Sequence, residues 1–79
     1  MSINYNNRMA EDRLEILANN IRAERMRKRL SQEKLAELID VNKNTILKIE
    51  NARQKPSAFI VFDIARALNI PIEELFKNI

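Results

Sequence analysis

The chain predicts an all-α fold, and three observations carry that expectation. It has no glycine and only two prolines in 79 residues, so the usual helix breakers are nearly absent. Its apolar residues recur every three to five positions along most of its length. Ser31, Asn42 and Ser57 each stand just ahead of such a patterned run, where a helix N-cap belongs. At 79 residues this is a single domain, 1–79, near the lower size at which a chain buries enough apolar surface to fold alone. Help from a second subunit is consistent with that size.

Residues 1–8 are polar and rich in asparagine and are expected to form a flexible N-terminal arm, with a contact through Arg8 as the lesser alternative. Residues 9–29 form a long first helix, with Leu14, Leu17, Ile21 and Met26 as its apolar positions. Ser31 caps a second helix over 32–39 whose buried face is Leu35, Ala36, Leu38 and Ile39. With Lys34 rather than glutamate three residues on, only half a capping box is present. Asn42 caps a third helix over 43–51, with Ile46 and Ile49 pointing inward and Lys43, Asn44, Leu47 and Lys48 outward. Ser57 caps a fourth over 58–68, where Val61, Ile64, Ala65 and Leu68 follow the i, i+3, i+4, i+7 spacing of a core stripe. Asn69 and Pro71 break the chain before a short fifth helix over 72–77.

Composition excludes several functions. Without cysteine there is no disulfide, thiolate metal site or thiol nucleophile, and without histidine the commonest metal ligand and general base are gone. The remaining titratable types are not clustered, so an enzyme is not expected, nor a cofactor, metal or small-molecule ligand. No apolar run reaches the roughly 18–20 residues of a membrane span, and a cytoplasmic location is expected. Charge is more informative by location than in total. Residues 21–55 hold ten lysines and arginines against five acids, an excess of +5, while each flank is net −1. A positive field confined to one stretch suits a polyanion, although a basic solvated surface gives the same count.

The break at Asp40-Val41-Asn42 separates two short helices that could have been one. Two stubs joined by a tight turn, the second with a buried edge and a polar edge, form a helix-turn-helix. The break aims the N-terminus of the third helix, with its unpaired N–H groups and partial positive charge, at a groove lined by phosphates.

The chain resembles the lambda repressor and Cro-like (XRE-type) helix-turn-helix regulators. The matching residues are Ile21, Arg25, the run Leu30 to Glu37, Val41, Thr45-Ile46, Ile49-Glu50, Pro56-Ser57, Ile64 to Leu68 and Glu74-Leu75-Phe76. The resemblance covers about residues 17–77 and implies a compact five-helix domain that binds double-stranded operator DNA, with the third helix in the major groove. By position it implies that Lys43, Asn44, Thr45, Leu47 and Lys48 read bases, and that Gln32, Asn51 and Arg53 meet phosphates. Lysine suits guanine O6 and N7, asparagine can pair with adenine N6 and N7, and leucine can touch a thymine methyl. It further implies a structural ion pair between Arg25 and Glu50, joining the first helix to the third. Where the family favours glycine this chain has Arg29, Asp40 and Ala52. Left-handed backbone costs alanine and arginine about 1 kcal/mol or more, so a loop of different shape is expected after the third helix.

The run Phe59-Ile60-Val61-Phe62 is apolar round most of the fourth helix, and Phe59 falls nearly opposite the core stripe. Such a surface suggests contact with the folded-over first helix or with a second subunit. The family's two-fold binding favours a homodimer, with Phe59, Ile60, Phe62, Ile72 and Phe76 at the interface. The leading expectation is therefore a small sequence-specific DNA-binding transcriptional regulator of controller or repressor type, with no room for an effector domain. Phage immunity, an antitoxin role and control of a restriction system are unranked contexts. The alternative is a protein-interaction module or antitoxin on the same scaffold, whose main partner is a regulatory protein. That reading calls for acidic or apolar residues at 43, 44 and 48, where lysine and asparagine stand instead.

Overall fold

The computed structural model describes residues 3–79, with side chains from Asp12 onward. Four α-helices follow one another, α1 (Ile3–Arg27), α2 (Gln32–Leu38), α3 (Lys43–Glu50) and α4 (Ala58–Leu68), and a 3-10 turn at Ile72–Leu75 closes the chain. The architecture is all-helical, with no strand among the described residues. The fifth helix expected over 72–77 is one 3-10 turn instead. Pro71 restricts its start, and four residues are too few to lay down the i to i−4 ladder of an α-helix. Helix α1 starts at Ile3 rather than Met9, so Ile3–Arg8 are helical where the sequence predicts an arm. The side chain of Arg8 lies outside the described residues. α1 stops at Arg27, two residues short of expectation.

Three helix starts and all four helix ends have a local reason. The Ser31 hydroxyl accepts from the Lys34 N–H, the Asn42 carbonyl oxygen from the Asn44 N–H and the Ser57 hydroxyl from the Ile60 N–H, so three starts are capped by side chains. All four ends share one device. Arg29, Asp40, Ala52 and Asn69 take left-handed backbone, with φ between 56° and 59°. The next N–H then reaches back to a carbonyl five residues earlier: Leu30 to Arg25, Val41 to Ala36, Arg53 to Lys48 and Ile70 to Ala65. This is the Schellman closure, which satisfies carbonyls that a helix end leaves without partners. The expected departure in the loop after α3 is therefore corrected. Ala52 adopts the turn at φ 58° despite its Cβ, because two backbone hydrogen bonds hold it there.

The core sits where α1, α2, α3, α4 and the 3-10 turn converge. Ile21, Leu35, Ile46, Ile64 and Leu75 are completely buried, with Leu17, Ala36, Ile49, Val61, Ala65 and Leu68 packed round them. Two expected core positions are surface. Met26 is 61% exposed and Leu38 49% exposed. Met26 follows Ile21 by five residues, about 140° round the helix, and so turns away from the stripe that Leu17 and Ile21 define. Leu38 lies about 60° from Leu35 and ends its helix, where Ile39 and Val41 cover the core in its place. Asn20 ties the two ends of the fold together, its Nδ2 donating to the carbonyls of Leu75 and Lys77 at 2.9 Å each. Among the described residues no helix is long and apolar enough to cross a membrane.

Candidate nucleic-acid interface

Helices α2 and α3 pack on each other across the turn at 39–42 and meet α1 and α4 through their apolar edges. Asn42 both caps α3 and ends the turn, so the first residues of α3 face outward at the molecular surface. Ile46 and Ile49 are buried, which fixes the rotation of α3 about its axis. Lys43, Asn44, Leu47 and Lys48 then have no choice but to project from the opposite edge, and all four are exposed. Thr45 is half-buried at the margin of that edge.

The angle of α3 is fixed by a charged clamp. Arg25 Nε donates to Glu50 Oε2 at 2.6 Å and Arg25 Nη2 to Oε1 at 3.0 Å, a bidentate pair between α1 and the last turn of α3. Glu50 is 2% exposed, so its charge needs these partners. The same guanidinium also secures the segment entering α2, with Nη1 donating to the Leu30 carbonyl at 2.7 Å. Arg22 reaches the other side of the helix end, its Nη1 donating to the Glu50 carbonyl at 3.4 Å. A cation near a helix C-terminus also suits the helix dipole.

Gln32 stands in this network. Its Nε2 donates to Glu50 Oε1 at 3.1 Å from a half-buried position at the start of α2. A primary amide carries two hydrogens, so the second N–H remains for an acceptor outside the protein. Gln32 thus links the clamp to the surface beside the α2 N-terminus.

Asn44, Leu47, Lys48, Asn51, Arg53 and Gln54 line one groove of about 410 Å³ beside α3. Five of these six are residues that the sequence marks as DNA-facing, and Gln54 is the addition. It lies in the loop after α3, and nothing in the spacing of a loop residue marks the direction of its side chain. Lys43 and Thr45 lie on the same helix edge but outside the groove lining. Among the described residues Lys43, Lys48 and Arg53 enter no ion pair, so their charges are uncommitted.

Arg53 also breaks a pattern. At three of the four helix ends the residue after the left-handed position is apolar and packs against the core, as Leu30, Val41 and Ile70 do. After α3 that residue is Arg53, which is exposed. The same backbone device that buries a side chain elsewhere presents a cation here, beside the edge of α3. The pattern is readable in the sequence once the four turns are aligned.

The α2–turn–α3 unit, packed on α1 and α4 with the polar, cation-bearing edge of α3 outward, is that of a helix-turn-helix DNA-binding transcriptional regulator. Residues 21–75 match the profile of the helix-turn-helix family, and the chain belongs to it. It is 38% identical over 56 residues to an uncharacterised HTH-type transcriptional regulator of Archaeoglobus fulgidus, an alignment covering 71% of this chain and 80% of that protein. A second such regulator, from Methanothermobacter thermautotrophicus, is 42% identical over 57 residues, covering 71% of this chain and 83% of the relative. Among solved structures the fold matches the restriction-modification controller protein C.AhdI from Aeromonas hydrophila with a TM-score of 0.77 and 32% identity, over 80% of this chain and 96% of the controller. The hypothetical transcription factor NHTF from Neisseria matches with a TM-score of 0.77 and 26% identity, over 81% of this chain and 74% of that one.

Proposed function

We propose that the chain is a small repressor or controller that binds a two-fold operator as a dimer and lays α3 in the major groove of each half-site. The observation that carries this reading is the common groove of Asn44, Leu47, Lys48, Asn51, Arg53 and Gln54, with three uncommitted cations on and around its rim. Lys43, Asn44, Thr45, Leu47 and Lys48 read base edges. Gln32, Asn51 and Arg53 hold phosphates on either side, and Gln54 joins them. The division follows position: the first set rides the outer edge of α3, and the second brackets it from the start of α2 and the loop after α3.

Two recognition helices about 34 Å apart would match successive major grooves on one face of the duplex, and this requires two chains. The exposed apolar residues Phe59 (82%), Phe62 (48%) and Phe76 (43%), with half-buried Ile60 and Ile72 beside them, supply a surface for the pairing. The likeness to a restriction-modification controller favours a controlling role of that type, and the cytoplasm, where such a regulator would meet its DNA, is the proposed location.

Selection of bound fragments from random duplexes tests the whole reading. The expected product is a short inverted repeat with half-site centres about 10 base pairs apart. Recovery of no enriched sequence, with no duplex affinity at low salt, would overturn it in favour of a protein-binding module.

A further inference from the structure

Arg13, Leu14 and Leu17 of α1, Lys55 of the loop after α3, and Phe76 and Ile79 beyond the 3-10 turn line a pocket of about 280 Å³. Three separated segments build it, so it has no local signature in the sequence. Its floor reaches the core through the buried Leu17, and its walls are the half-buried Leu14 and the partly exposed Phe76 and Ile79. Arg13 and Lys55 are the only charged side chains in the lining, and both are exposed. Among the described residues neither enters an ion pair. Two cations without an acid, at the rim of an apolar hollow, suit an anion that carries an apolar tail. A water takes about 30 Å³ of liquid, so the space holds roughly ten non-hydrogen atoms.

One loop ties this pocket to the DNA-facing surface. Lys55 follows Arg53 and Gln54, which line the groove beside α3. A further hollow, lined by Leu14, Glu15, Asn51 and Ala52, shares Leu14 with the pocket and Asn51 with the groove. Phe76 is the one residue that the pocket shares with the apolar surface offered for pairing, and no residue of α4 lines it. We propose that the pocket takes a monocarboxylate with an apolar tail of about six to nine carbons, and that its binding opposes the binding of duplex DNA. The carboxylate sits between Arg13 and Lys55, and the tail lies along Leu14, Leu17, Phe76 and Ile79. Once bound, it neutralises Lys55 and sets a negative charge beside the loop that carries Arg53 toward a phosphate. Ligand and duplex then weaken each other by the same factor. The coupling rests on the DNA-binding reading, whereas the pocket itself does not.

Octanoate is the probe, with 1-octanol as the same tail without the charge. Titration followed by amide NMR shifts should saturate with a Kd of about a millimolar or tighter, which is what roughly ten ligand atoms yield at modest efficiency. The shifts should centre on Leu14, Lys55, Phe76 and Ile79. Arg13→Gln and Lys55→Gln should each weaken octanoate about threefold, and the two together about tenfold, while octanol binding stays as it was. Helical circular-dichroism spectra check that the variants fold. Failure to saturate, shifts centred on Phe59 and Phe62, or octanoate binding that ignores both substitutions would overturn the pocket. Duplex binding by the ligand-free chain is measured first, so a failure of the DNA-binding reading shows before octanoate is added. At constant ionic strength, saturating octanoate should then lower duplex affinity at least about fivefold in the wild type and much less in the double variant. An unchanged duplex affinity would overturn the coupling, and the pocket would stand as a binding site alone.

Discussion

Glu50 takes both carboxylate oxygens to Arg25, at 2.6 and 3.0 Å, and so fastens the last turn of α3 to α1. With Glu50 buried, this is an internal ion pair, in which removing one partner strands the other charge. Glu50→Ala should destabilise the fold by about 3–5 kcal/mol, because Arg25 and Gln32 both lose their acceptor. Lys48→Ala, at an exposed position, should stay within about 0.5 kcal/mol of the parent. Thermal melts followed by circular dichroism compare them, and equal midpoints would mean that the clamp does not hold α3 in place.

The association with duplex DNA should weaken steeply with salt. If each subunit neutralises several phosphates, affinity should fall by orders of magnitude between about 50 and 200 mM monovalent salt, because the entropy gained by releasing counterions shrinks as bulk salt rises. Fluorescence anisotropy with a labelled duplex measures the slope. A flat response would mean that Gln32, Asn51, Arg53 and their neighbours do not meet the backbone.

Base readers and phosphate holders should separate on mutation. Asn44→Ala or Lys48→Ala should cost roughly 1–3 kcal/mol on the preferred site and much less on other sequences, so that preference collapses. Arg53→Ala should weaken preferred and unrelated duplexes alike. Competition binding against a panel of single-base variants distinguishes the two patterns, and an unchanged preference in Asn44→Ala would move the reading edge elsewhere.

Ala52 holds φ at 58° where a Cβ crowds the carbonyl that follows. Ala52→Gly relieves that crowding but loosens the unfolded chain, so a net gain of about 0.5–1 kcal/mol is expected. Asn69→Gly should gain less, since asparagine tolerates the left-handed region better. Denaturant unfolding of the two variants ranks them, and a loss of stability in Ala52→Gly would contradict the turn.

Much of the fold, and the outward placement of most residues of the candidate site, are legible in the sequence because their signals are local. Ser31, Asn42 and Ser57 cap helices where a short polar side chain precedes a patterned run, and Val61, Ile64, Ala65 and Leu68 make a stripe at helical spacing. The rest depends on three-dimensional context. Leu38 is apolar and sits in a helix, yet the chain turns at Ile39 and Asp40 and leaves it outside. The final segment has apolar residues at helical spacing but too few residues to complete the ladder. The family resemblance gives only the expectation of a phosphate for Gln32, and the packed structure adds that one N–H goes to Glu50. Gln54 joins the groove through the path of a loop, which spacing does not encode.

The rotation of α3 divides its residues cleanly: Ile46 and Ile49 belong to the interior, while Lys43, Asn44, Leu47 and Lys48 stand in solvent. Scaffold and vocabulary are thereby uncoupled. On the proposed reading, a lineage could rewrite the outward letters one at a time and reach new addresses on a genome while its melting point barely moves, and an engineer could do the same by exchanging those four side chains.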